Sequence, residues 1–574
     1  MLGGSDEGWA KESLGERGLA EYLSSVDGMS LRTFTEKGRK NMGYKVLVTD
    51  KIDKIAVTIL QEFCEVDYKS VLTVEDLKAI INDYDALMIR SSSTITKDLI
   101  SAANRLKVIG RAGVGVDNID IEAATDKGII VINSPEGNTV AAAEHTIAMM
   151  LSMIRHIPIA DASIKGGKWE RSKLTGKEVF NKNLGLIGLG KVGSRVAAIA
   201  KAMGMKVSVY DPFVSEDKAG ELGACYVTSL DDIWKSADFV TLHVPKNKNT
   251  LNLINKDAIA KMKKGVKIIN CARGGIINEA DLTDAIQNGQ VEMAAIDVFD
   301  KEPVEDSPLL KLGDKVVLTP HLGASTEEAQ INVAIDVAEQ IRDIAQGLPA
   351  RSAVNIPSLM PEIFKPVKHY MALAENLGAL VRQATNGAAQ EIEIVACGEL
   401  AKLDLSPLVV AVTKGILCCS REGVNYVNAP KLAERSGVRV KKSTLTDSES
   451  YLSLLKVILT TDKETNQTTG TILGKDIPRI LRFNGYHTSI EPAEHMLIVP
   501  HKDKPGMVAQ VTTLLSKENI NISMMQVARK IRAQAGGESV MILNVDEPVD
   551  DTILKQLRKI DGIYSAKYVN LKAR

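Results

Sequence analysis

The stretch "LGLIGLGKVGSRVAAIAKAMGMKVSVYDP", residues 184–212, decides the fold of this chain. An apolar strand runs into a GxGxxG turn formed by Gly188, Gly190 and Gly193, a helix follows, and a second strand ends at Asp211. Glycines here let the backbone approach a pyrophosphate at the helix N-terminus, where free N–H groups favour negative charge. A carboxylate at the second strand end accepts hydrogen bonds from ribose hydroxyls and repels a 2′-phosphate. The stretch therefore predicts an NAD site rather than an NADP site; a ligand-free strand–turn–helix is the alternative.

The composition is that of a large globular protein. With 574 residues, the chain is too long for one core, and its length predicts roughly three to four domains. A formal net charge of −1 and the lack of a long apolar run favour neither a nucleic-acid nor a membrane partner. The six cysteines form no C-x-x-C pair, which indicates a reducing, cytoplasmic location and no metal site.

Residues 1–43 differ from the rest of the chain. They contain no apolar core long enough for a signal peptide, and their acidic residues fit a transit peptide badly. We expect a disordered extension there, followed by a first strand in "YKVLVTD", residues 44–50.

Short apolar runs alternate with helical stretches from Tyr44 onward, which predicts parallel sheets covered on both faces. A long helical stretch, which Asn138 or Thr139 could cap, interrupts the alternation, and a second long helix is predicted from 326 to about 346. This pattern predicts two doubly wound α/β units joined by helices. Four prolines within 348–366 then mark a linker.

The C-terminal third has a different pattern. Residues 356–493 contain helices and strands without a glycine-rich fingerprint, so we expect an α+β domain. From His495 the order is strand, helix, strand, strand, helix, strand, which predicts a ferredoxin-like βαββαβ module.

Three chemically useful side chains follow successive predicted strands: Arg273 in "NCARGGIINEADL", Glu302 in "AAIDVFDKEP" and His321 in "LTPHLGAST". In an open α/β sheet such strand ends converge on the crevice that holds the dinucleotide. A guanidinium can bind a carboxylate with two hydrogen bonds, an imidazole can exchange a proton near neutral pH, and a carboxylate can orient that imidazole. Each residue alone could be a packing or turn residue, but together they predict hydride transfer between NAD and a 2-hydroxy acid.

These motifs and "GLIGLGKVG" resemble, in order, those of the D-isomer-specific 2-hydroxyacid dehydrogenase family over residues 44 to about 355. The resemblance implies that Arg273 binds substrate and polarises its carbonyl, Glu302 tunes the histidine pKa, and His321 transfers the proton. It also implies a substrate domain at 44–140 with 321–355 and a Rossmann-type NAD domain at 141–320. The implied cofactor contacts, besides the three glycines and Asp211, are Val114, Lys191, Val192, Val244, Cys271, Ala272, Arg273, Asp297, His321 and Gly323.

The segments "MIRSSSTITKDLI" and "VIGRAGVGVDNIDIEAATDKGIIVINSPEGNT" are similar to those of family members that oxidise 3-phosphoglycerate to 3-phosphohydroxypyruvate, the first step of L-serine biosynthesis. That similarity places Arg90, Ser91, Arg111 and Asn138 at the substrate, with the two arginines suited to its phosphate or carboxylate. Solvated surface arginines are the alternative. Val114 stands where some relatives have threonine, which leaves that cofactor contact to the backbone.

The C-terminal third resembles the extra domains of the family's long form: an intervening domain at 356–493 and an ACT domain at 494–574. ACT modules pair edge to edge and bind amino acids at the shared interface, so the resemblance implies a homodimer or homotetramer. His501 and Asn521 match positions that hold an L-serine effector, although His501 could equally be a loop residue without a ligand. Two other functions remain open: another 2-hydroxyacid dehydrogenase, which the extra domains disfavour, and a dinucleotide-sensing interaction protein.

Overall fold

The computed structural model describes residues 43–571, apart from 71, 349, 357–360, 449, 475 and 531–535. The predicted extension at 1–43 therefore lies, except for Gly43, outside the described residues. The described residues form four β-sheets, two of them entirely parallel, one mixed and one antiparallel.

The first sheet has five parallel strands in the order β2-β1-β3-β4-β5. Apart from the exposed edge strand β2, its strands are short, largely apolar runs that are buried on both faces, as expected for a parallel sheet between helices. Its elements are β1 (Lys45–Thr49), α1 (Lys54–Gln61), β2 (Glu65–Lys69), α2 (Val74–Ile80), β3 (Ala86–Ile89), α3 (Lys97–Ala102), β4 (Val108–Arg111), α4 (Ile121–Lys127) and β5 (Ile130–Ile132).

Two helices, α5 (Thr139–Ile154) and α6 (Ile157–Lys165), lead from the first sheet to the second. The long helical stretch predicted here is thus broken, and the two helices are bent by 63°. His156 adopts a left-handed backbone with φ of 54°, and Pro158 cannot continue the hydrogen-bond ladder of a preceding helix. Asn138 occupies the N-cap of α5, but its side chain makes no capping hydrogen bond.

Within the described residues, no single helix combines the length and the apolar character needed to cross a bilayer. Only α5 and α6 taken together meet that test, by length and composition alone.

The second sheet has seven parallel strands in the order β12-β11-β10-β9-β6-β7-β8. The chain starts with β6 in the middle of the sheet, continues to β8 at one edge, and then crosses back to β9 to form the other half. The crevice at this switch point lies beyond the ends of β6 and β9. Its elements are β6 (Asn183–Ile187), α7 (Lys191–Ala202), β7 (Lys206–Tyr210), α8 (Glu216–Glu221), β8 (Cys225–Tyr226), α9 (Leu230–Ser236), β9 (Phe239–Leu242), α10 (Lys256–Lys261), β10 (Val266–Asn270), α11 (Glu279–Gln287), β11 (Val291–Ile296) and β12 (Val316–Leu318).

Helix α12 (Glu327–Ala345) returns the chain to the first sheet. Thr326 caps it by accepting a hydrogen bond from Ala329 N at 3.1 Å, which confirms the predicted start. Its apolar face, including Val333, Val337 and Ile341, packs in one core with strands β1, β3 and β4. The two parallel sheets are thus tied together by α5 in one direction and by α12 in the other, and the predicted doubly wound α/β class is confirmed.

The C-terminal third contains a mixed six-stranded sheet and a four-stranded antiparallel sheet. The second has the order β20-β21-β19-β22, which confirms the predicted ferredoxin-like module. The elements are α13 (Pro361–Ala384), β13 (Ala389–Gly398), α14 (Ser406–Leu417), α15 (Ala429–Arg435), β14 (Arg439–Leu445), β15 (Ser453–Thr461), β16 (Thr465–Leu473), β17 (Ile477–Phe483), β18 (Tyr486–Ile490), β19 (His495–Lys502), α16 (Met507–Lys517), β20 (Ile522–Arg529), β21 (Glu538–Val545), α17 (Asp551–Arg558) and β22 (Lys567–Asn570).

Helix α13 is shared by both C-terminal sheets. In β19, Leu497 and Val499 face α16 and α17, whereas Met496 and Ile498 face the opposite side of the sheet. That opposite side joins α13 and the six-stranded sheet in one continuous core. The two C-terminal sheets therefore enclose a common helix, and the four-stranded sheet has a second core on its other face.

A charged contact joins the C-terminal third to the first sheet. Lys431 and Arg435 of α15 each form ion pairs with Glu122 and Asp126 of α4, at N···O distances of 2.9–3.3 Å. Asn425 Nδ2 also donates to the carbonyl of Gly128 at 2.8 Å. Helix α4 follows directly on the loop that leaves β4, so this contact reaches a segment that borders the crevice.

Reversing the charge on α15, with Lys431→Glu and Arg435→Glu together, should loosen this contact. Exposed ion pairs contribute only about 0.2–1 kcal/mol each, so we expect local opening and not global unfolding. Hydrogen–deuterium exchange over 121–128 should become several-fold faster, and adding Glu122→Lys and Asp126→Lys should slow it again.

Lys402→Glu is the matched control, because Lys402 lies in the same third but pairs locally with Glu399. Unchanged exchange over 121–128 in the reversed variant would show that the contact does not hold α4.

Candidate active site at the strand ends of the second sheet

The glycine loop after β6 has the geometry of a phosphate cradle. Gly188 has φ of 95°, and a Cβ there would lie 2.4 Å from the carbonyl oxygen of His243. A Cβ at Gly193 would lie 2.0 Å from the Gly188 oxygen, whereas no described atom lies within 4 Å of a Cβ placed at Gly190. Two glycines thus permit close packing and the third leaves room beside the first turn of α7, whose N–H groups suit a pyrophosphate.

Asp211 supports this loop from the end of β7. It is 9% exposed, Oδ2 accepts from Leu189 N at 2.7 Å, and Oδ1 accepts from Phe213 N at 2.8 Å. Each carboxylate oxygen can accept a further hydrogen bond, so Asp211 can hold the loop and a ribose hydroxyl together. The residues present therefore fit NAD.

The predicted His–Glu pair is formed. His321 Nδ1 lies 2.7 Å from Glu302 Oε2, while Glu302 Oε1 accepts from Phe299 N at 3.0 Å. With the Nδ1 side engaged by Glu302, Nε2 is the nitrogen left for a substrate proton. His321 has a left-handed backbone with φ of 54°, which is rare for a residue other than glycine.

Asp297 holds the backbone around His321. Its fully buried carboxylate accepts from Thr319 Oγ1 at 2.6 Å, Leu322 N at 2.7 Å and Gly323 N at 2.9 Å. Its own carbonyl accepts from His321 N at 2.9 Å. Burial alone would raise the pKa of Asp297, but hydrogen bonds, including one from His145, outweigh burial and lower it. The negative charge of Asp297 is therefore favoured where it organises this loop.

Arg273 lies in a turn packed against the Glu302 segment. A Cβ at Gly274 would lie 1.8 Å from the carbonyl oxygen of Phe299, so only glycine permits this approach. The guanidinium crosses to the loop after β4, with Nε 3.5 Å from Asp117 Oδ2 and Nη2 2.6 Å from a Cβ placed on Gly115. Arg273 thus spans the crevice between the two parallel sheets.

A second arginine faces the same crevice. Arg111 Nε is buried and has no hydrogen-bond partner among the described residues. Burial, followed by the positive charges of Arg273 and Arg90, lowers the pKa of Arg111. The guanidinium groups of Arg273 and Arg90 therefore both oppose the charge of Arg111 in this crevice, a repulsion that an anionic ligand would relieve.

The remaining predicted residues follow strand ends or lie at the start of helices in the two parallel-sheet units. Ser91 is exposed, Asn138 caps α5 by position, Val114 accepts from Asn133 Nδ2 at 2.6 Å through its carbonyl, and Lys191 forms an ion pair with Glu136. The others follow strand ends or line the glycine loop: Val192 in α7, Val244 after β9, Cys271 and Ala272 after β10, and Gly323 after β12.

Side chains not singled out in the sequence support the segment 90–93, which contains two residues predicted to bind substrate. Asp50 accepts from Arg90 N at 2.7 Å and from Ser93 Oγ at 2.7 Å, and Asn118 Nδ2 donates to the carbonyls of Arg90 and Ser93 at 2.8 and 2.6 Å. Asp50 follows β1, and its position at a strand end was a usable signal. No sequence pattern marks Asn118.

His145 on α5 was also missed. One of its ring nitrogens, Cys271 Sγ and a carboxylate oxygen of Asp297 all lie within 4.8 Å of one another. Such atoms can bind a metal, but the Asp297 oxygens already accept several hydrogen bonds, and burial raises the pKa of Cys271 to about 12. The cluster therefore serves better as a hydrogen-bonding support than as a cation site.

The two predicted effector residues lie far apart in the antiparallel sheet. His501 is 2% exposed and pairs with Ser539 at one end of β21, with its Nδ1 3.0 Å from the carbonyl oxygen of Val499. Asn521 precedes Ile522, which pairs with Val545 at the other end of β21. Six residues of strand correspond to about 20 Å, so one chain does not bring both to one small ligand.

Comparison with known families agrees with this geometry. The profile "D-isomer specific 2-hydroxyacid dehydrogenase, NAD binding domain" matches residues 147–323, which contain the second sheet and the glycine loop. Residues 366–484 match "D-3-phosphoglycerate dehydrogenase intervening domain", and residues 495–562 match "ACT domain". The second sheet is thus the NAD binding domain of a 2-hydroxyacid dehydrogenase.

Relatives that match most of the chain identify the family more narrowly. The chain is 47% identical to D-3-phosphoglycerate dehydrogenase of Synechocystis, over 92% of this chain and 95% of the relative, and 43% identical to that of Methanocaldococcus jannaschii, over 92% and 100%. A solved structure from Thermus thermophilus covers 54% of this chain and 99% of its own, with a TM-score of 0.50 and 30% identity. This chain belongs to the D-3-phosphoglycerate dehydrogenase family.

Asp211→Ala should weaken cofactor binding, because it removes the ribose acceptor and the support of Leu189 N together. We expect the Kd for NADH to rise about 10- to 100-fold, equivalent to about 1.4–2.8 kcal/mol. Fluorescence titration with NADH measures it. Asp217→Ala, an exposed carboxylate on α8, is the control, and an unchanged Kd for Asp211→Ala would contradict the predicted role.

Proposed function

We propose that this chain catalyses the NAD-dependent oxidation of 3-phosphoglycerate to 3-phosphohydroxypyruvate, the first step of L-serine biosynthesis. The observation that carries the proposal is the meeting of Arg111 and Arg273 at the loop 113–115, at the mouth of the crevice into which the strand end of the His321–Glu302 pair opens, with Arg90 nearby. A substrate with a carboxylate and a phosphate brings about three negative charges near neutral pH, which these arginines can match. The relatives named D-3-phosphoglycerate dehydrogenase support the same substrate.

His321, Glu302 and Arg273 each have a separate role in the oxidation. His321 Nε2 takes the proton of the substrate 2-hydroxyl, and Glu302 fixes the ring and stabilises the imidazolium that forms. Arg273 binds the substrate carboxylate and polarises the forming carbonyl. NAD, held by the glycine loop and Asp211, supplies the hydride acceptor.

Arg111 and Arg90 are suited to the phosphate. Asp50 and Asn118 fix the backbone of Arg90, whose Nη1 donates to Lys51 O at 3.1 Å. Arg111 carries a buried Nε that lacks a partner among the described residues, so a ligand oxygen can complete its hydrogen bonds. An unphosphorylated 2-hydroxy acid would leave this second anion position unused, which disfavours the alternative substrates.

The dinucleotide-sensing alternative is disfavoured by the His321–Glu302 pair, since recognition of a dinucleotide requires no acid–base group at this strand end. His321→Ala separates the two functions. An enzyme loses turnover and still binds NADH, whereas a sensor keeps the binding of its partner.

The substrate assignment predicts a large preference for the phosphorylated acid. NADH formation followed by absorbance should give a kcat/KM for 3-phosphoglycerate far above that for glycerate. Arg111→Leu should lower the former by about 100-fold or more, because removing one partner of a buried charge pair costs about 2–5 kcal/mol. Arg171→Ala, at an exposed arginine after α6, should change neither value. Equal activity on glycerate would refute the phosphate assignment.

We propose further that L-serine binds between two copies of the chain, with His501 from one copy and Asn521 from the other. The separation of these residues in one chain supports a shared site. Strand β20 lies at the edge of its sheet and exposes Met524, Met525 and Val527, which suits edge-to-edge pairing of a homo-oligomer.

The shared site can be tested by mixing variants. Serine should inhibit the wild type, and His501→Ala or Asn521→Ala alone should each raise the inhibitory concentration more than about 10-fold, since each removes a hydrogen bond to the ligand. Heterodimers of the two variants keep one intact site, so serine inhibition should partly return. Inhibition that fails to return in the mixture would refute sharing across copies.

A further inference from the structure

The loop that carries His321 is held in a sparsely populated backbone conformation. A left-handed φ of 54° at a histidine persists only where surrounding contacts fix it. Those contacts converge on Asp297. Its carboxylate accepts hydrogen bonds from Thr319 Oγ1, Leu322 N and Gly323 N, and its backbone carbonyl accepts one from His321 N. The position of the His321 ring therefore depends on the rotamer of Asp297.

A second imidazole contacts Asp297 from another element. His145 Nε2 lies 3.1 Å from Asp297 Oδ1 and 3.3 Å from Thr319 Oγ1, and the His145 side chain is 19% exposed. It lies on α5, a largely apolar helix whose residues Ala143, Met149 and Met153 pack in the core of the second sheet. An imidazole N–H placed beside an acidic acceptor on such a buried helix indicates a directed contact and not a solvated side chain.

We propose that His145 is a positioning residue for the proposed oxidation: by donating from Nε2 to Asp297 it fixes the carboxylate that holds the His321 loop. The inference rests on the proposed function and adds a residue that does not touch the substrate. With Oδ1 shared among His145, Thr319 and Leu322, the carboxylate has one favoured orientation, in which Oδ2 meets Gly323 N. Without His145 that orientation loses a donor, and the His321 ring loses its fixed approach to the substrate.

The position of α5 gives this contact a further consequence. The helix begins a few residues after β5 of the first sheet and packs on the second. His145 therefore connects the loop that carries His321 to α5, the helix that joins the two parallel sheets on either side of the crevice.

The experiment compares His145→Leu with His145→Gln in the full-length protein. A glutamine amide can reach the place of Nε2 and donate to Asp297, whereas leucine cannot. We expect kcat on 3-phosphoglycerate to fall about 10- to 100-fold in the leucine variant, the size expected for misplacing a catalytic group by up to 1 Å. The KM for 3-phosphoglycerate and the Kd for NADH should stay within about twofold, since positioning acts on chemistry more than on binding. The glutamine variant should recover most of kcat.

A second readout does not require turnover. In the ligand-free protein, amide exchange over 319–323 should be faster in His145→Leu than in the wild type and in His145→Gln, because Leu322 N and Gly323 N depend on the Asp297 acceptor. Thr319→Val should have a similar effect, and combining it with His145→Leu should give less than the product of the two losses. His487→Leu, an exposed histidine in β18, is the control.

Each outcome decides between support and refutation. Wild-type kcat in the leucine variant, equal kcat in the glutamine and leucine variants, or unchanged exchange over 319–323 would overturn the positioning role. If the leucine variant does not fold, His145→Asn replaces it, since its amide is one methylene shorter than that of glutamine and falls short of Asp297. If the wild type does not oxidise 3-phosphoglycerate, the proposed function fails, while the exchange measurements still test the contact of His145 with Asp297.

Discussion

One buried carboxylate organises the centre of this protein. Asp297 directly follows β11 and accepts hydrogen bonds from Thr319, Leu322 and Gly323, which all come after the neighbouring strand β12, so the loop after β12 closes around it. A charged group is tolerated in that interior only because donors surround it, and two of those donors, Leu322 N and Gly323 N, are backbone groups of the loop that carries His321. The cost of burying one charge is thus offset by the contacts that fix the reacting imidazole.

Part of this arrangement was readable in the sequence. Parallel strands place their carboxyl ends along one edge, so Arg273, Glu302 and His321 could be assigned to one crevice from their positions after apolar runs. The contacts of His145 with Asp297, of Asn118 with Arg90 and of Asp117 with Arg273 were not predictable, because each depends on how separate helices and loops meet in the folded chain. The break between α5 and α6 was missed for a simpler reason: the apolar pattern continues through it, whereas Pro158 and the left-handed His156 end the first helix.

The C-terminal third followed its local pattern closely, since the strands and helices of an antiparallel module are close in sequence and their order predicts their pairing. Its contacts with the rest of the chain could not be predicted from the sequence. Nothing in the spacing of Lys431 and Arg435 indicates a partner on α4, and nothing in the run "MLIV" shows that each of its two faces meets a different layer. Long-range contacts of this kind depend on the completed fold and not on local periodicity.

The shared core around α13 limits how this chain can be divided. Met496 and Ile498 of the ferredoxin-like module belong to the same apolar core as Leu373 and Leu377 of that helix. Cutting the chain near residue 494 would therefore expose an apolar face to water. A shortened protein that keeps only the six-stranded sheet would be prone to aggregate, whereas one that ends before α13 would not carry that surface. In evolution as in protein engineering, the two C-terminal sheets are therefore best gained or lost as a single piece.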